Sequence, residues 1–190
     1  MGGAAATILL PAVDEPALEA WRDLVSRRSI KIEDDDFWIP SELEARGSGG
    51  LPFYWNRAAL GDEFLDLRHD ELAQIRDAFG LGINGGIGLA AMCRGRPSDR
   101  ILGELCLEFL ADRQGLVLFD GLLVPTLELA AWRRWHAKDH VAQAADFPAA
   151  IGPHPGKIVA IDCEGEPSRH VCDARFLAFW MTHEAFHFVN

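Results

Sequence analysis

The sequence predicts an α+β fold, a ferredoxin-like split β-α-β sandwich with a C-terminal helix-hairpin-helix extension. Two strand-helix-strand units follow one another within the first 123 residues, separated by an insertion. Their helices carry one-sided apolar stripes, as two helices sharing one face of an antiparallel sheet would. The composition, 49% hydrophobic with six Trp and eleven Phe in 190 residues, is rich enough to fill a core without staples.

Residues Thr7 to Leu10 form a short apolar strand, after which Asp14 is placed to cap a helix with Leu18, Trp21, Leu24 and Val25 on one face. SIKIEDDDFWIP, 29–40, alternates at Ile30 and Ile32 and again at Phe37 and Ile39, so it reads as one strand or as two pieces around an acidic kink. ELEARGSGG has loop composition, and LPFYWN is a short aromatic strand. DLRHDELAQIRDAFG is a helix with Leu72, Ile75, Ala78 and Phe79 inward and Gly80 at its end. The glycines of GINGGIGLAAMC mark a buried strand that bends or closely approaches other backbone, with Gly85 or Gly86 the position least tolerant of a side chain.

The strongest helical pattern runs from Asp99 to Gln114, with Ile101, Leu102, Leu105, Cys106, Phe109 and Leu110 on one stripe. Gly115 stops it and LVLFDGLL follows as a strand. The last third contributes a helix around TLELAAWRRWHA, a Pro-rich loop, a hairpin from KIVAIDCE and RHVC, and a final helix capped by Asp173. Residues 176, 180, 183 and 187 fall on one stripe of that helix. The expected organisation is a single domain, 1–190, with a core at 1–123 and an extension at 124–190 packed on it.

Eighteen basic against twenty-nine acidic residues give a formal charge of −11. Such a surface repels nucleic acid and anionic membrane and attracts a basic protein. No run of about 18 apolar residues is present, so no membrane span is expected. The opening MGGAAATILLPAVDE lacks a basic n-region, and a cytoplasmic location is expected. Cys93, Cys106, Cys163 and Cys172 form no C-x-x-C pair and read as reduced thiols, although Cys163 and Cys172 flank a turn across which they could face each other.

Three motifs invite a catalytic or ligand-binding reading. His183-Glu184-Ala185-Phe186-His187 spells H-E-x-x-H, the pattern of a metal-dependent hydrolase, but only three residues follow it to supply a third ligand. A structural role for both rings is therefore expected, with the hydrolase as the alternative function. Gly80-Leu81-Gly82-Ile83-Asn84-Gly85 fits G-x-G-x-x-G in the wrong order, helix before and strand after, so no dinucleotide cofactor is expected. WRRWHAKDH interleaves bases and aromatics, yet its charges fit a solvated helix face. No nucleophile, base and orienting acid assemble from local spacing, and neither catalytic nor metal-binding residues are assigned.

The acidic run Glu33-Asp34-Asp35-Asp36, followed by Phe37 and Trp38 and later by Tyr54 and Trp55, is the candidate partner surface. Aromatic anchors ringed by acids suit capture of a basic protein. The residues expected to carry it are Asp34, Asp35, Asp36, Trp38 and Trp55.

Two stretches, DRILGELCLEFLADRQGLVLFDGLL at 99–123 and GKIVAIDCEGEPSRHVCDARFLAFWMTHEAFHFVN at 156–190, resemble uncharacterised bacterial candidate immunity proteins of polymorphic toxin systems. The likeness lies in hydrophobic patterns and carries over no functional residue. It implies a non-enzymatic binding protein that neutralises a basic partner, a cognate toxin.

Overall fold

In the computed structural model, residues 4–40, 50–57, 67–93, 95–119, 123, 146–162 and 169–188 are described. Eight strands make one antiparallel sheet: β1 Ala5–Leu10, β2 Lys31–Glu33, β3 Asp36–Ile39, β4 Leu51–Arg57, β5 Gly85–Ala91, β6 Leu116–Phe119, β7 Ile158–Ile161 and β8 Arg169–Cys172. Among the described residues four helices accompany them, α1 Glu15–Arg28, α2 His69–Phe79, α3 Arg96–Leu110 and α4 Ala174–Trp180, and a further helical stretch covers 146–150. The chain is thus α+β, with strand order β2-β3-β4-β5-β1-β6-β8-β7.

Each main crossover skips one strand. From β1 the chain passes through α1 and the β2-β3 hairpin to β4, leaving β5 between; from β5 it passes through α3 to β6, leaving β1 between. The β7-β8 hairpin joins the core directly, because β8 pairs with β6 at Val117↔Cys172 and Leu118↔Val171 and prolongs the same sheet. Which free edge a hairpin joins is a long-range choice that local alternation does not encode.

Alternation divides β1, β6 and β8 between two cores. Ala6, Ile8 and Leu10 of β1, Ile87 and Leu89 of β5, and Val117 and Phe119 of β6 face α1, α3 and α4 in the larger core. Leu9, Leu116, Leu118 and Val171 point the other way, where Ile75 of α2 closes a second, smaller core. Trp21 is fully buried in the first core, edge-on to Trp55 at 6.2 Å and to Phe109 at 5.4 Å. Outside it, Arg28 ties α1 to α3 through Glu104 at 2.8 Å and Glu108 at 3.0 Å.

The helix ends follow local chemistry. The Asp14 carboxylate accepts the Ala17 N–H at 3.0 Å, and Gly80 closes α2 in the left-handed region at φ 67°. The third helix starts at Arg96, one turn before the expected Asp99, because Pro97 at its first turn needs no N–H partner. It ends at Leu110, short of the expected Gln114. Helix α4 also stops early, at Trp180, where the expected stripe ran on to 187. The chain turns there, with the Thr182 hydroxyl donating to the Phe179 carbonyl at 2.7 Å.

Candidate functional site

Strands β2 and β3 form a hairpin at one end of the sheet, in register Lys31↔Trp38, Ile32↔Phe37 and Glu33↔Asp36. Asp34 and Asp35 are its turn, with Asp34 at φ 53°, a left-handed conformation that aspartate tolerates better than most side chains. The Asp35 carbonyl accepts the Trp55 N–H at 3.0 Å, which fixes the turn against β4. Asp34 and Asp35 are exposed, and Asp36 and Trp38 are half-buried.

Strand parity sorts the expected residues. Asp36 pairs with Tyr54 and Trp38 with Pro52, so these four share one face of the sheet. Trp55 projects from the opposite face, 8% exposed and packed edge-on to Trp21. It belongs to the core, which corrects its assignment to the partner surface. Trp38 is also no bare anchor, since the Lys31 ammonium sits 4.5 Å from the centre of its ring while paired to Glu33 at 2.8 Å.

The structure adds residues in their place. Tyr54 lies beside Asp36 and is 37% exposed, and Ile30 and Ile32 stand 53% and 44% exposed along the hairpin's outer strand. Parity within LPFYWN, with Phe53 and Trp55 inward, was the signal for Tyr54. Nothing local marked the isoleucines, because their exposure follows from β2 being the last strand of the sheet.

The H-E-x-x-H segment does not make a metal-binding pair. It lies beyond the end of α4, so His183 and His187 do not stand one turn apart on a helix. His183 stacks on Trp180 at 5.0 Å, and its Nδ1 accepts the Ala185 N–H at 3.1 Å. His187 also contacts Trp180, whose Nε1 donates to the His187 carbonyl at 3.1 Å, and burial lowers the pKa of its ring. Both rings dress one tryptophan. Among the described residues, no three His, Cys, Asp or Glu side chains gather as metal ligands would.

The glycine motif is likewise structural. Gly80 ends α2 and Gly85 begins β5, where a Cβ would stand 2.7 Å from Val13 Cγ2. The segment WRRWHAKDH and Cys163 lie outside the described residues. Cys172 is a free thiol in the core, as is Cys106, whose pKa burial pushes up to about 12. Neither is a poised nucleophile. An open groove of about 350 Å³ runs between the start of α1 and the segment after α3. Its charged lining groups are engaged: Asp14 caps α1, and Arg113 lies over Phe109 at 5.0 Å.

Among the described residues, no helix is long and apolar enough to cross a membrane. Residues 2–190 match a family of unknown function, DUF6368, and the chain belongs to it. No curated protein and no solved structure matches.

Proposed function

We propose that this member of the family is a non-enzymatic acidic protein that binds and neutralises a basic protein, acting as a cytoplasmic immunity protein toward a cognate toxin. One observation carries the reading: the acidic tip Glu33-Asp34-Asp35-Asp36 ends a hairpin that exposes Tyr54 on the face it shares with Glu33 and Asp36, and Ile30 and Ile32 on the opposite face. Acids beside exposed apolar groups steer a basic surface and then hold it, the acids acting on encounter and the apolar groups on residence. The formal charge of −11 extends the attraction beyond the patch.

The hydrolase alternative loses its motivation with the geometry of His183 and His187. Capture from the native host followed by binding kinetics at two salt concentrations tests the proposal. A basic partner whose association slows as salt rises supports it. A partner that binds with salt-independent kinetics, or only away from the β2-β3 hairpin, refutes it.

A further inference from the structure

The two edges of the sheet are finished differently. Along β7, α2 lies against the strand ends: the Gln74 side chain both donates to the Asp162 carbonyl, at 3.2 Å, and accepts the Asp162 N–H, at 3.0 Å. Lys157, just before β7, donates to the Ala78 carbonyl of α2. The opposite edge, β2, carries no such cover among the described residues, and Lys31, Ile32 and Glu33 are all exposed.

Open edges are usually guarded by a charged side chain, most often lysine, projecting across the strand. Here the lysine is occupied. Lys31 folds back onto Trp38 and pairs with Glu33, leaving the outer line of the strand unobstructed among the described residues. Ile30 and Ile32 lie on one side of that line and Glu33 on the other, with Asp34 and Asp35 at the tip.

We infer that the outer edge of β2 accepts an extended basic segment of the partner protein as a ninth strand, hydrogen-bonded alongside Lys31–Glu33. The inference rests on the binding reading above and specifies its mode. Main-chain hydrogen bonds supply the affinity, and alternate side chains supply the selectivity. Apolar groups of the incoming strand lie on Ile30 and Ile32, and basic groups reach Glu33 and the aspartates of the turn. Charge selects this occupant over a second copy of the chain, which would bring another −11 to the contact.

The test uses the intact protein and a synthetic peptide of about eight residues alternating lysine and valine, with two isomers N-methylated at either the lysines or the valines. Each methylation pattern blocks one hydrogen-bonding edge and leaves the charge unchanged. One isomer is expected to bind about tenfold more weakly or worse while the other matches the parent, and exchange of the Ile32 amide, the one that faces outward between the hydrogen-bonded pairs 31/38 and 33/36, slows when the parent is bound. Equal affinity for all three peptides, loss of both isomers without slowed exchange, or no binding of the parent overturns strand pairing.

The charge-based reading fails separately, if a glutamate-valine peptide binds as well as the lysine-valine one. A homodimer that Ile32→Lys abolishes would overturn the assignment in favour of a second copy.

Discussion

Arg96, the first residue of α3, donates to the Glu184 carbonyl at 2.6 Å and so joins that helix to the segment following α4. Asp99, three residues later, is buried in the same first turn, and the Phe188 backbone N–H acts on its pKa against that burial. The first turn of one helix therefore anchors the H-E-x-x-H segment.

Asp99 is 7% exposed, and burial pushes its carboxyl up to about 6 from an ordinary 3.8, despite the opposing hydrogen bond. A folded-state pKa above the unfolded one means that the contribution of this group is full below the unfolded value and is lost as pH rises through about 6. Asp99→Asn keeps a side-chain oxygen and removes the charge. Its stability relative to the wild type is expected to rise between about pH 4 and pH 7, by an amount on the order of 1 kcal/mol once solvent screening is allowed for. Thermal melts across that range check it. A variant less stable than the wild type at about pH 7 would show that the ionised carboxylate is the stabilising form.

His187 responds in the opposite sense. Burial depresses its ring below the ordinary 6.5, so its contribution is present above that value and is lost as acid protonates it. His183→Ala with His187→Ala is expected to cost about 1–3 kcal/mol through lost packing on Trp180. The melting temperature of the wild type is expected to be the same in chelator and in zinc. Zinc copurifying in equal amount with the wild type and lost from the double variant would restore the metal reading.

Gly85→Val is expected to destabilise by about 1–3 kcal/mol, because a Cβ there meets Val13, a short branched side chain with little room to yield. Gly156→Ala should cost more, since φ is 74° and a methyl group would collide with the Asp173 carboxylate and the Phe176 N–H that it caps. Denaturant unfolding compares them. Midpoints equal to the wild type in both variants would show that these backbones relax freely.

At the hairpin, replacing Asp34, Asp35 and Asp36 with asparagine is expected to slow association with a basic partner several-fold and flatten its salt dependence. Ile32→Ala and Tyr54→Ala should instead speed dissociation. Trp55→Ala should fail by a third route, unfolding at a cost of about 3–5 kcal/mol, since the ring fills the core beside Trp21. Surface-binding kinetics and thermal melts separate the three. An asparagine variant that associates at the wild-type rate in low salt would move the interface away from the hairpin.

Local pattern was enough for the strands and helices whose side-chain period is short. The Asp14 and Asp173 caps, the stripe of α3 and the acidic kink between β2 and β3 could all be read from neighbouring residues. Other features were set by distant parts of the chain. The stripe at 176, 180, 183 and 187 was extrapolated from helical spacing, but the helix ends at Trp180 and a contact from Arg96 to the Glu184 carbonyl holds a turned segment there instead. Trp38 and Trp55 look alike as exposed aromatics until the register of β3 against β4 places them on opposite faces. That register, and the choice of β6 as partner for β8, depend on residues far away in sequence.

The central position of β1 imposes a wait during synthesis. Its partners are β5, in register from Ala5↔Ala90 to Leu10↔Gly85, and β6, from Ala6↔Phe119 to Leu9↔Leu116. This early strand is thus completed on its second side only after residue 119 has been added. At ordinary translation rates that is an interval of roughly 5 to 20 seconds. Throughout it, Ile8, Leu9 and Leu10, which the finished sheet buries, lack their final neighbours on the nascent chain. Such a segment is a natural early client for a ribosome-associated chaperone. The closing of the sheet around β1 is a long-range event that waits on residues made much later.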